Sequence, residues 1–157
     1  MKRLFALFAV LALLLVACNG ADNDVDAPEE EDAAYSLEQQ PDDAQASFVS
    51  PQDGDTVSSP LTVELEAEGI ELAPAGAPVV GEGHLHVMTD PPGCYDTGEI
   101  IPGPSDEAEA DGHFHLGDGS ESREIDLEPG TYDLCVQLAD GPHTAFGQTE
   151  TITVTVE

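Results

Sequence analysis

Four of the chain's five histidines stand as two His-x-His pairs, Gly83-His84-Leu85-His86-Val87-Met88 and Gly112-His113-Phe114-His115-Leu116. In a β-strand successive side chains point to opposite faces, so His84, His86 and Met88 share one face while Leu85 and Val87 take the other. His113 and His115 likewise oppose Phe114 and Leu116, which sends the apolar set toward a core and the imidazoles toward water. If the two strands are neighbours, four imidazoles converge. Such a nitrogen set suits copper, zinc or nickel and needs no redox-sensitive thiol. Copper is the first expectation, because copper(II) tops the affinity order of the first-row divalent ions and Met88 offers a soft thioether to copper(I); zinc is the second. His143, in the turn Asp140-Gly141-Pro142-His143, supplies a fifth imidazole. Asp90 and Asp111, beside the pairs, read as turn residues or as acceptors for imidazole N–H groups. The competing reading makes the histidines polar, β-compatible surface that binds nothing.

The elements that must position these residues are short alternating runs separated by Gly, Pro and Asp turns. From residue 47 onward this texture predicts an all-β domain over 47–157, a small Ig-like antiparallel β-sandwich of about seven strands. The run Leu61-Thr62-Val63-Glu64-Leu65-Glu66-Ala67 alternates apolar and polar residues with period two, as a half-exposed strand does. Glu150-Thr151-Ile152-Thr153-Val154-Thr155-Val156 closes the chain in the same way. Further strands are expected over 122–127 and 131–139, joined by Glu128-Pro129-Gly130. No helical pattern of ten residues follows Cys18.

The N-terminal end has a different character. Met1-Lys2-Arg3 precedes an apolar run of 13 residues, 4–16, with the layout of a secretory signal peptide and too little length to span a bilayer. Its end, Leu15-Val16-Ala17-Cys18, resembles the bacterial lipoprotein cleavage motif. That resemblance implies a signal peptide over 1–17, a lipid-bearing Cys18 as the mature N-terminus, and anchoring to a membrane on its extracytoplasmic side. Residues 19–46 hold ten acidic residues with Pro28, Pro41 and few large apolar side chains. The expectation for 18–46 is therefore a disordered acidic tether behind the lipidated cysteine.

Cysteine usage and charge agree with an exterior location. Apart from Cys18 only Cys94 and Cys135 remain, an even pair that suggests a disulfide. Metal ligation by these thiols is the rival reading, and their neighbours Gly93, Tyr95, Leu134 and Val136 are not ligands. All 33 acidic residues lie beyond Cys18, and against Arg123 alone they leave a formal charge of −32 once the leader is gone. Such a surface repels nucleic acid and concentrates cations, so nucleic-acid binding is excluded and a metal ion is the expected partner besides the membrane.

The blocks Val49-Ser50-Pro51-Gln52-Asp53-Gly54, Gly83-His84-Leu85-His86, His113-Phe114-His115-Leu116-Gly117, Leu127-Glu128-Pro129-Gly130-Thr131 and Leu138-Ala139-Asp140-Gly141-Pro142-His143 resemble, in this order, an uncharacterised bacterial family known as domain of unknown function 4399. The resemblance implies a compact extracytoplasmic β-domain carrying its histidine blocks at His84, His86, His113, His115 and His143. It implies no activity. Two other classes compete with a metal carrier. A copper-dependent superoxide-dismutase-like enzyme shares the His-x-His on a β-sandwich, but the zinc-binding loop of those enzymes is missing and Arg123 sits in no substrate-guiding motif. An adhesion or structural Ig-like module needs no chemistry at all. The expectation is a non-enzymatic protein. Asp53-Gly54-Asp55 and the 117–121 stretch read as turns rather than calcium loops.

Overall fold

The computed structural model describes residues 34–157. A 3₁₀ turn, Leu37–Gln39, precedes nine strands: β1 Gln45–Ser50, β2 Thr56–Val57, β3 Leu61–Glu68, β4 Glu71–Leu72, β5 Glu82–Thr89, β6 His113–Leu116, β7 Ser122–Ile125, β8 Gly130–Ala139 and β9 Ala145–Val156. Among the described residues a single short α-helix, α1 (Asp106–Ala110), lies between β5 and β6, capped by the Ser105 hydroxyl accepting from the Ala108 N–H. The fold is all-β, as the turn-separated alternation requires.

The strands form one curled sheet in the order β4-β5-β8-β9-β1-β3-β7, with β2 on β9 and β6 on β5. It is mixed rather than wholly antiparallel: β1 and β2 both run parallel to β9, and β4 parallel to β5. Parallel pairing arises because β1 and β2 flank the long terminal strand from its own direction, without a hairpin between them. In β3 the period-two pattern places Leu61, Val63 and Leu65 inside and Thr62, Glu64 and Glu66 outside. These side chains meet Leu85, Val87, Phe114, Leu116, Leu134, Val136 and Leu138 in the main core within the curl. Burying each contributes roughly 1.5–3 kcal/mol by transfer from water.

The folded unit begins earlier than residue 47. The 3₁₀ turn Leu37–Gln39 and the Tyr35 and Gln40 contacts already belong to it, and Ala44 and Ala46 are core residues. The tether expected over 18–46 therefore ends well before Ala46. The physical reason is specific polar anchoring that composition does not reveal. The Gln40 amide donates to the carbonyls of Val79 and Glu82 and its oxygen accepts from the Gly81 N–H, while Tyr35 Oη donates to the buried Asp140 carboxylate at 2.8 Å. Burial and the Asp140 carboxylate push the Tyr35 phenol up to about 12. The signal peptide over 1–17, the lipid-bearing Cys18 and the first part of the linker lie outside the described residues.

A second correction concerns the outer face of β5, β6 and β8. It is covered, not open to water. The segment 90–104 crosses it as a strap, held by the Cys94–Cys135 disulfide, whose Cα atoms are 5.6 Å apart. Tyr95 and Gln137 exchange two hydrogen bonds of 2.8 Å, and Ile101 is buried with Met88, Cys135, Ala139 and Ala145 in a small second core. Closing a loop of this size stabilises the fold by about 4 kcal/mol in the chain-entropy model.

Candidate metal centre

Register brings the histidine pairs together. β6 and β8 flank β5 antiparallel, so that His86 faces His115 on one side and Gln137 on the other, while His84 faces Ala139. Directly opposed residues of neighbouring strands put their Cβ atoms about 5 Å apart, within reach of two imidazoles. The fourth ring comes from the turn between β8 and β9. There His143 has φ +76°, a left-handed conformation that a side chain adopts only when its surroundings enforce it. The enforcement is visible: the His143 N–H donates to the Asp140 carbonyl, the Thr144 N–H donates to Asp140 Oδ1, and the Ile101 N–H of the strap donates to the His143 carbonyl.

His84, His86, His115 and His143 form a cluster whose ligand atoms all lie within 4.8 Å of one another. The Nε2 atoms of His84 and His86 are 3.0 Å apart, as are those of His115 and His143. A tetrahedral ion with bonds of about 2.0–2.1 Å needs nitrogens separated by about 3.3 Å, and a square-planar one about 2.9 Å along its edges. The two 3.0 Å Nε2 contacts lie between these values and the whole set lies within 4.8 Å, so the four histidines could hold a metal ion. His84 and His86 are fully buried, while His115 and His143 are half-buried and present the cluster to the surface. A cleft of about 450 Å³ bounded by His115, Gly117, Asp118 and Arg123 opens beside it.

The electrostatics prepare neutral ligands. Desolvation by burial, reinforced by the neighbouring imidazoles, pulls His84 down to about 3 and His86 to about 2; the same two causes lower His115. Near neutral pH these three rings carry no charge and keep a lone pair for a cation. The Nδ1 atoms of His84 and His86 have no hydrogen-bond partner among the described residues. Asp90 and Asp111 therefore do not accept from them. Asp90 sits in the turn at Gly93, and Asp111 caps α1.

Of the residues expected at a metal site, His113 and Met88 stand apart from this cluster. His113 lies one pleat along the same face, and its Nε2 is 2.6 Å from the Tyr95 hydroxyl. Met88 is fully buried in the second core beneath the strap. Three positioning residues escaped sequence reasoning. Gly117 lies under the His115 imidazole, where an added Cβ would overlap the ring. Arg123 donates to the His115 carbonyl at 2.6 Å and pairs with Glu109. Asp140 fixes the turn that carries His143. Gly117, directly after His113-Phe114-His115-Leu116, was the one legible signal.

None of the curated proteins matches this chain. The family model of the domain of unknown function DUF4399 matches residues 63–157, from within β3 to the C-terminus and across all five histidines. The chain thus belongs to the DUF4399 family.

Proposed function

We propose that this chain is a metal-binding protein that holds a transition-metal ion through His84, His86, His115 and His143, copper first and zinc second. The single observation behind this reading is the convergence of four imidazole nitrogens from three separate segments within 4.8 Å. Two arguments rank the metals. Nitrogen donors favour copper(II) by intrinsic affinity, while four nitrogen donors also match the ligand number that zinc takes in closed sites. The role we favour is binding or buffering: in the tetrahedral geometry of zinc or copper(I), four protein ligands leave no position for substrate. We place the protein in the cell envelope, anchored by a lipid on Cys18 to the extracytoplasmic side of a membrane. The signal-like leader, the motif at 15–18 and the Cys94–Cys135 pairing support that location.

Titration of the purified protein with copper(II) and zinc tests the reading. One equivalent of metal should bind, and His86→Ala or His143→Ala should abolish it while the β-sheet circular dichroism is retained. Undiminished binding in both variants would refute the assignment. Retention of a Cys18→Ser variant in the membrane fraction would refute the anchor.

A further inference from the structure

The face that carries the four imidazoles continues into a second row of donors. Across β6, β5 and β8, register aligns His113 with Met88 and Met88 with Cys135, immediately beside the row His115, His86 and Gln137. Residues two apart on a strand share a face and lie roughly 7 Å apart, far enough for two distinct centres. Three sulfur-bearing residues gather at this row: Met88 and Cys135, opposed in register and packed in the second core, and Cys94, which the disulfide brings to Cys135 from the strap. His113 borders the row, and its Nδ1 is buried with no hydrogen-bond partner among the described residues. Met88 and Cys135 are 0 % and 1 % exposed. Burial in an apolar pocket suits a weakly hydrated, polarisable monovalent ion and disfavours a strongly hydrated divalent one.

We propose that reduction of the Cys94–Cys135 disulfide creates a second, soft metal site, in which the two thiolates and the Met88 thioether bind a monovalent d¹⁰ ion such as copper(I), with His113 at its margin. The reductant is a dithiol. Its first thiolate attacks the Sγ of Cys94, an exposed residue where Cys135 is buried, breaking the disulfide and expelling Cys135 as a thiolate; its second displaces Cys94 and leaves as the reductant's own disulfide. Two electrons and two protons pass to the cysteine pair, and binding of the ion releases the protons again. The four-imidazole centre takes no part in these steps.

Anaerobic copper(I) titration against a chromophoric chelator, on the oxidised and the dithiol-reduced protein after removal of the reductant, tests the proposal. Reduction should add one equivalent of copper(I), with sulfur-to-copper charge-transfer absorption. That added equivalent should be weakened in Met88→Leu and in Cys94→Ser and persist in His143→Ala. No gain on reduction, a gain indifferent to both sulfur variants, or loss of the β-sheet signal on reduction would each overturn it. Zinc binding by the oxidised protein reports on the four-imidazole centre alone, so either site can fail without the other.

Discussion

At the scale of single residues, the candidate centre depends on small constraints around each ring. Gly117 is the sharpest of them. A Gly117→Ala substitution drives a methyl group into the space of the His115 imidazole, and the expected result is a loss of about ten-fold or more in zinc affinity with little change in circular dichroism. Isothermal titration of the variant against the parent protein measures it. Protonation is the second constraint. His84 and His86 titrate near 3 and 2 when folded, against about 6.5 for a free imidazole, so the unfolded chain binds more protons throughout the interval between. Their contribution to stability is complete above pH 6.5 and falls as the solution is acidified toward 3. Urea midpoints of the metal-free protein at pH 7.5, 6 and 5 should decline in that order, and a flat profile would contradict the neutral buried rings.

At the scale of elements, the histidine strands were legible and their surroundings were not. Period-two alternation put His84, His86 and Met88 on one face, and β5 has that pattern because Leu85 and Val87 have a main core to enter. Nothing in the same residues shows that the imidazole face is also buried. Its cover, the 90–104 segment, reads as a Pro/Gly-rich turn region, since a strap held by one disulfide and one buried Ile101 carries no periodic signal. His113 and His143 exchanged places for a related reason. Spacing along the chain pairs His113 with His115, whereas the tight turn at Asp140 brings in a ring from far along the sequence. Gln40 was hidden too, being an ordinary polar residue in an acidic stretch. Its side chain is the clamp on the turn before β5, so Gln40→Ala should leave the Gly81 N–H and two carbonyls short of partners and cost about 1–3 kcal/mol. Chemical denaturation of the variant measures the loss, and an unchanged midpoint would show that the 34–44 segment contributes little.

Over the whole molecule, negative charge outweighs every other surface property. With 33 acidic residues against three Lys and Arg, the native state works against its own repulsion at every pH where carboxylates are ionised. Raising sodium chloride shortens the Debye length to about 10 Å at 0.1 M and about 3 Å at 1 M, so the melting temperature should climb over that range. A melting temperature insensitive to salt would mean that the carboxylates are too well spaced to repel. The same charge attracts cations of every kind, so if the proposed centre selects among metal ions, the histidine nitrogens rather than the surface field must do it.

The sheet also ends abruptly at its margins. β4 is two residues long, and the four residues of β7 carry Arg123 and Glu124. Neither margin exposes a row of unpaired amides and carbonyls long enough for another molecule to extend the ladder. Copies of the domain brought close together are therefore expected to stay separate particles instead of seeding fibrils, each with its own ring cluster enclosed in its own sheet and strap.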